Sequence, residues 1–438
     1  MKYLEINNII VPNNIPTTFF LLNNFQRIWL QNKCIRSVIT IKQLDKGLCS
    51  LEEIKTCGYR EGKYGVTVIY HKNSTAAAVY TKNKVYAAPI TITRKHIADG
   101  KISAILVNSG NANCYTKEEG IEKGLELAQL AADKLEIPLE EVAVASTGVI
   151  GRQMPMDILK PIAEKSIEKL DNSRQSATDA ARAIMTTDTV PKEIAVESQL
   201  NDGTTFKIAG ICKGSGMIAP NMGTMLGFIT TDLKADKDML HECLLKSVEK
   251  SFNMVVVDGD ESTNDTVILM STNTQVGDID ENFQEALDYV CMSLAKQIAK
   301  DGEGAEKFME VECLGANSLT DAIKVSKSVV SSSLVKTALK GADPNWGRII
   351  SAVGYSGVEF NPEIVSISIA SKTDEVIIVD KGNVTTYEDP KLLEKAEEIM
   401  KEKEVIIRVN LHEGDYSITA YGCDLTCEYV HINADYTT

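Results

Sequence analysis

Strand-like and helix-like patterns alternate along most of the chain. Short apolar runs predict buried strands, and before residue 224 they cover residues 65–70, 104–107, 142–145 and 206–212. Between residues 121 and 135, apolar residues recur at helical spacing and predict an amphipathic helix. Beyond residue 224 the pattern predicts strands at 226–230, 255–257, 267–270, 364–369, 375–379, 405–409 and 418–421, and helices near 239–252, 281–300 and 391–401. This alternation is typical of an α/β fold.

Composition narrows the class of protein. The chain has 438 residues, of which 44% are hydrophobic, so it is long enough to bury a large core in two or three units. Its formal charge of −15 argues against a nucleic acid or an anionic membrane as partner, because both need a basic face. We also expect no membrane insertion, since no apolar run approaches the roughly 18 residues that span a bilayer.

Cysteine and metal-ligand patterns point to a cytoplasmic protein without a metal site. The ten cysteines are scattered along the chain rather than packed into a short framework, which favours free thiols in a reducing compartment. Residues 258–265 begin like an EF-hand loop, but Thr263 stands at the glycine turn and Leu269 at the glutamate ligand. We therefore predict no metal.

The start of the chain differs from the rest. Residues 1–37 are rich in asparagine, and Glu5 is their only carboxylate. A transit peptide would favour Ser and Arg over Asn, so a loosely attached extension is the simpler interpretation of this segment.

The segment from Lys213 to Asp232 carries the most informative chemistry. Gly223 precedes Thr224, which is the arrangement a chain needs to free an amino-terminal threonine by self-cleavage. The released α-amine, with an ordinary pKa of about 8, could then accept the hydroxyl proton of Thr224. Residues 214–219 also fit a dinucleotide-binding fingerprint, but Pro220 follows where a helix should begin. A plain glycine-rich loop stays open as an alternative on this segment alone.

Other motifs resolve this ambiguity because they follow one another in the order of a known family. They lie at residues 76–81, 83–89, 106–113, 146–151, 184–188, 213–232, 301–305, 342–348 and 433–438. Together they resemble the ornithine acetyltransferase family, the threonine-nucleophile enzymes of arginine biosynthesis that often also act as N-acetylglutamate synthases. The resemblance runs from about Gly58 to the last residue, while residues 1–57 are poorly matched.

The resemblance implies a role for each matched residue. Thr224 would be the nucleophile, and Gly223–Thr224 the cleaved bond. The hydroxyl of Thr147 and the amide of Gly148 would form the oxyanion hole, and the implied substrate contacts are Thr187, Lys213, Thr224, Glu303, Asn433 and Thr438. Glu303 would also assist proton transfer.

Several of these assignments have open alternatives. The substrate threonine at 187 is uncertain in register, with Thr186 and Thr189 beside it. Without the resemblance, Thr147 would fit a turn cap, Lys213 a surface lysine and Glu303 a glycine motif at a helix end. Gly223 and Gly227 replace alanines that are common in the family.

The implied fold is a layered α/β sandwich of the amino-terminal-nucleophile type, with a second, smaller α/β lobe. Residues 58–223 would form an alpha chain and 224–438 a beta chain, with two copies of each in the assembly. The implied activity is transfer of an acetyl group from N-acetylornithine to glutamate through acetyl-Thr224, without a redox or metal cofactor. Acetyl-CoA as a second donor is left open. The alternatives are an amino-terminal-nucleophile amidase or aminopeptidase, and a non-catalytic protein that binds amino-acid derivatives.

Overall fold

The computed structural model describes residues 39–219 and 225–435, together with two short strands near the start. These strands, β1 (Tyr3–Ile6) and β2 (Ile9–Pro12), pair antiparallel. They belong to a unit of residues 1–40, and residues 41–438 form the other unit. The remaining residues up to 38, which carry the predicted extension, lie outside the description.

Nine strands of the described chain form the first sheet of the larger unit. Its order is β3-β8-β9-β10-β12-β5-β6-β7, and β4 pairs with β5. The strands are β3 (Lys42–Gln43), β4 (Lys55–Glu61), β5 (Tyr64–Tyr80), β6 (Lys101–Asn111), β7 (Val142–Val149), β8 (Lys192–Gln199), β9 (Thr205–Lys213), β10 (Leu226–Leu233) and β12 (Thr266–Gln275).

A second, smaller sheet takes up most of the chain after residue 300. Its order among the described residues is β11-β18-β13-β17-β14-β15-β16. The strands are β11 (Val255–Val256), β13 (Phe308–Ala316), β14 (Ser366–Ala370), β15 (Glu375–Asp380), β16 (Asn383–Val384), β17 (Glu404–Asn410) and β18 (Tyr416–Cys423).

Helices cover both sheets. They are α1 (Ala88–His96), α2 (Lys117–Leu135), α3 (Met156–Glu168), α4 (Arg174–Ala183), α5 (Lys237–Lys250), α6 (Glu281–Lys300), α7 (Leu319–Ser331), α8 (Ser333–Lys340), α9 (Trp346–Gly354), α10 (Thr385–Glu388), α11 (Pro390–Met400) and α12 (Cys427–Asp435). Helix α6 packs on β8 and β9 of the first sheet and also on β18 of the second. The two sheets are thus layers of one α/β sandwich, as predicted.

Strand β6 explains why the predicted strands of the first sheet are almost continuously apolar. Successive side chains point to opposite faces of a strand. Ile105 and Val107 enter one buried cluster, whereas Ala104 and Leu106 enter a second cluster with Leu127 of α2. A strand that is buried on both faces is mostly apolar, and the polar residues Ser103, Asn108 and Ser109 of β6 are buried as well.

The structure confirms each predicted strand and helix; most boundaries differ by a few residues, and β5 runs ten residues beyond the strand predicted at 65–70. The strand predicted at 364–369 begins two residues later, at Ser366, because Pro362–Ile364 forms a 3-10 turn. In the described part of the chain, no helix is both long enough and apolar enough to cross a membrane. The described cysteines are free thiols, and all except Cys427 are buried.

Candidate active site

A pocket of about 200 Å³ opens where the ends of β7 and β9 meet the start of β10. It brings together six of the residues that the sequence singled out, namely Thr147, Gly148, Thr187, Lys213, Glu303 and Asn433. Gly223, Thr224 and Thr438 lie outside the described residues. Met225, which follows Thr224 in the sequence, lines the pocket. The pocket is therefore assembled from segments on both sides of the predicted cleavage site.

Lys213 is the last residue of β9, and its ammonium group is buried in the pocket wall. The residue is 7% exposed. Its Nζ donates to Thr186 Oγ1 at 2.8 Å and to Thr147 Oγ1 at 3.5 Å, and it lies 3.8 Å from Asp188 Oδ2. A buried ammonium beside a pocket favours an anionic ligand group such as a carboxylate.

Thr147 and Gly148 form a corner at the end of β7. Gly148 has a φ of +132°, and a Cβ there would overlap the backbone of Gly110 on the neighbouring strand β6. Only glycine fits such a position. The hydroxyl of Thr147 accepts a hydrogen bond from Lys213, so its own hydrogen remains available to donate into the pocket.

Asn264 fixes the backbone of this corner through two hydrogen bonds. Its Nδ2 donates to the carbonyl of Ser146 at 2.8 Å and to the carbonyl of Ala112 at 2.6 Å. Ser146 Oγ in turn donates to Asn108 Oδ1 at 2.6 Å. These buried hydrogen bonds fix the backbone immediately before Thr147, which preorganises any donor at this corner. No sequence pattern predicts a role for Asn264, because residues 258–265 resemble only a metal-binding loop.

Glu303 lies in the turn after α6, on the side of the pocket formed by α12. Its Oε2 accepts a hydrogen bond from Asn433 Nδ2 at 2.8 Å, and its backbone N–H donates to the carbonyl of Ser215 at 2.9 Å. Gly216 faces it closely, because a Cβ at this glycine would overlap the Glu303 carboxylate. The carboxylate thus lines the same pocket as the Lys213 ammonium, and Asp265 also lines it.

The three threonines of uncertain register have different partners. Thr186 Oγ1 binds Lys213 Nζ, Thr187 Oγ1 lies 2.7 Å from Ser215 Oγ, and Thr189 Oγ1 donates to Asp301. Thr186 and Thr187 line the pocket. Thr187 keeps its predicted place there, and Thr186 joins it as the residue that orients Lys213.

A buried ion cluster beneath the pocket was not predicted. Lys192 Nζ lies 2.7 Å from Asp188 Oδ1 and 2.6 Å from Asp301 Oδ2. Asp188 also accepts hydrogen bonds from the backbone N–H of Gly214 and Thr186, at 2.7 and 3.0 Å. Asp188 and Asp301 belong to the motifs matched at 184–188 and 301–305, and these motifs are the sequence signal that could have pointed to the cluster. The cluster ties together the two segments that carry Lys213 and Glu303.

Neighbouring charges and hydrogen bonds shift the pKa values of Asp188 and Lys192. Burial alone would raise the pKa of Asp188, but the nearby ammonium groups of Lys213 and Lys192 and the hydrogen bonds lower it to about 2. Burial likewise opposes the charge on Lys192, yet Asp188 and Asp301 together raise the pKa of its ammonium group. Asp188 and Lys192 therefore stay ionised at neutral pH.

Comparison with known proteins agrees with the motifs. A family model described as the ArgJ family matches residues 52–438. A glutamate N-acetyltransferase of Methanothermobacter thermautotrophicus is 52% identical over 392 residues, which cover 90% of this chain and 97% of the relative. The glutamate N-acetyltransferase of Methanocaldococcus jannaschii is 50% identical, over 91% of this chain and 100% of the relative. A crystal structure of the arginine biosynthesis bifunctional protein argJ from Bacillus halodurans is 41% identical over 47% of this chain and 97% of its own, with a TM-score of 0.43.

Proposed function

The chain belongs to the ArgJ family and is an acyltransferase that acetylates glutamate in arginine biosynthesis, and we propose that Thr224 carries the acetyl group in the pocket described above. The donor would be N-acetylornithine. The observation that supports this most directly is the presence of Lys213 and Glu303 in one pocket, with Met225 in its wall.

The Lys213 ammonium suits both substrates, and the Glu303 carboxylate suits an amino group of the donor. N-acetylornithine and glutamate each carry an α-carboxylate, which the Lys213 ammonium would bind. The free amine of ornithine would lie near the Glu303 carboxylate, which Asn433 holds in place at 2.8 Å. Because both substrates need the same anion site, they would enter in turn, which is the ping-pong order.

The Thr147–Gly148 corner would stabilise the oxyanion. Attack of Thr224 Oγ on the acetyl carbonyl forms a C–O bond and places a negative charge on the carbonyl oxygen. A donor aimed at that oxygen contributes about 3 kcal/mol. The Lys213 ammonium, 3.5 Å from Thr147 Oγ1, would strengthen this donor.

In each half-reaction a base must accept the proton that the attacking group loses. The α-amine of a cleaved Thr224 would take the hydroxyl proton and pass it to the leaving nitrogen as the C–N bond of N-acetylornithine breaks. Glutamate would then attack acetyl-Thr224 through its neutral amine, and Glu303 would accept the proton that this amine loses. That proton would pass to Thr224 Oγ as the C–O bond of the acetyl-enzyme breaks. The products are ornithine, N-acetylglutamate and the free threonine.

The remaining features are proposals by family membership. Self-cleavage at Gly223–Thr224 would give an alpha and a beta chain, and two of each would assemble. No metal or redox cofactor enters these steps. The buried free thiols suit the cytoplasm.

An acetyl-transfer assay tests the function. Purified protein, N-acetylornithine and glutamate should yield ornithine and N-acetylglutamate in equal amounts. Release of free acetate without N-acetylglutamate would instead favour the amidase alternative. Labelled acetyl-CoA with glutamate decides the second donor: product and labelled Thr224 would establish it, and the absence of both would mean a monofunctional enzyme.

A further inference from the structure

The ion cluster beneath the pocket holds two cations and two anions. Lys192 is 0% exposed and lies between Asp188 and Asp301. Lys213 is the second cation, and its Nζ approaches Asp188 only to 3.8 Å. The four charges balance within the described residues of the cluster. Moving any one of them into this buried site alone would be strongly unfavourable.

Asp188 is shared unequally by the two ammonium groups. Lys192 binds Oδ1 at 2.7 Å, while Lys213 is held by the neutral hydroxyl of Thr186 at 2.8 Å. Asp188 cannot turn away, because the N–H groups of Gly214 and Thr186 hold its two oxygens in place. A neutral residue at 192 would leave Lys213 as the nearest described cation to this carboxylate.

We propose that Lys192 is a positioning residue that occupies Asp188 and thereby keeps the Lys213 ammonium available for the substrate carboxylate. This inference rests on the proposed function, because it concerns how the acetyl donor and acceptor bind. In the absence of the Lys192 charge, Asp188 draws Lys213 into a closer ion pair. That pair competes with the substrate for the same ammonium group.

The low pKa of Asp188 supports this competition. Although burial opposes its ionisation, the surrounding cations keep this carboxyl charged far below neutral pH. Lys213 and the backbone N–H of Gly214 also lower this pKa, and both remain beside Asp188 when Lys192 is replaced. Among the described residues Asp301 forms its ion pair with Lys192 and none with Lys213, and it accepts a hydrogen bond from the backbone N–H of Thr189 at 3.0 Å. Neutralising Asp188 should therefore affect substrate binding differently from neutralising Asp301.

The first measurement uses Lys192→Met, which keeps the side-chain length and removes the charge. The KM values for N-acetylornithine and glutamate should rise about tenfold, whereas kcat should change by less than about threefold, because the loss is one charge-assisted contact. A donor without the carboxylate, N-acetyl-1,4-diaminobutane, does not use Lys213. The preference for N-acetylornithine over this donor, measured as a ratio of kcat/KM, should therefore fall about tenfold.

A pair of double variants separates positioning from stability. Lys192→Met with Asp188→Asn removes the competing carboxylate and should restore the donor preference. Lys192→Met with Asp301→Asn restores the same charge balance but leaves Asp188 to compete, so the preference should stay low. Where Lys192→Met does not fold, Lys192→Gln takes its place, since its amide keeps two donors for the carboxylates.

Two results would overturn the role of Lys192. One is a folded Lys192 variant with the wild-type donor preference, and the other is equal restoration by both double variants. A wild-type protein that transfers no acetyl group to glutamate would instead refute the proposed function. The two failures are therefore distinguishable in the same set of assays.

Discussion

Replacing Lys213 by methionine tests the anion site directly. The substitution removes the ammonium group that is buried in the pocket wall and bound to Thr186 at 2.8 Å. Asp188 is not left unpaired, because Lys192 still lies 2.7 Å from its Oδ1 and Gly214 still donates to it. We therefore expect the fold to persist and the loss to fall on substrate binding.

The size of the loss follows from the contact that disappears. A hydrogen bond to a charged group contributes about 1.5–3 kcal/mol. At 25 °C this is roughly a 10- to 150-fold rise in KM for N-acetylornithine. We expect kcat to fall by less than about tenfold, since the proposed nucleophile and the Gly148 amide are retained. Initial rates of ornithine release over a range of donor concentrations give both parameters.

Lys207→Met is the matched control. Lys207 lies on the same strand, six residues and therefore about 20 Å before Lys213. Its KM should stay within about twofold of wild type. A folded Lys213→Met variant with wild-type KM and kcat would refute the assignment of Lys213 as the carboxylate contact.

Three further outcomes are expected. Intact mass should show two fragments of 223 and 215 residues (438 minus 223), the second beginning at Thr224, and Thr224→Ala should remain a single chain; a different cut would contradict the assignment. Thr147→Ala should lower kcat about 100-fold with little change in KM, and an unchanged kcat would leave the residue a turn cap. Asp188 has a folded pKa of about 2, below its ordinary value of 3.8, so its charge stabilises the fold above about pH 4 and this contribution is lost as the pH falls towards 2. The difference in Tm between wild type and Asp188→Asn should accordingly be larger at pH 6 than at pH 3, and a gap that stays constant would argue against a charged Asp188.

The sequence was sufficient for the strands and for six of the residues that line the pocket. Strands such as β6 and β10 were predictable because burial on both faces goes with a continuous apolar run, at 104–107 and 226–229. Lys213, Glu303 and Asn433 were found through motifs, and motifs preserve the side chains that contact a ligand. None of these three residues could have been placed within one pocket by spacing alone, since they come from distant parts of the chain.

The supporting residues were missed for a different physical reason. Lys192 is the first residue of β8, and a lysine at the start of a strand is typical of a solvated side chain. Its burial becomes understandable only when Asp301 is brought from over a hundred residues away to share it with Asp188. Asn264 is similar, because its partners are the carbonyl groups of Ser146 and Ala112 on other segments. Such contacts depend on the tertiary fold and leave no local pattern.

The position of the proposed cleavage site explains how a cut chain could remain one enzyme. Strands β9 and β10, before and after it, are antiparallel neighbours whose register runs from Lys213 opposite Leu226 to Ile208 opposite Thr231. These backbone hydrogen bonds do not depend on the peptide bond at 223–224, so they would hold the two fragments in one sheet. Lys213 would then belong to the first fragment and Glu303 to the second, and the pocket needs both.

We therefore expect the two fragments to elute together on gel filtration. Acetyl transfer should be lost when denaturant separates them and should return only when both are refolded together. Activity in either fragment alone would contradict a pocket shared between them.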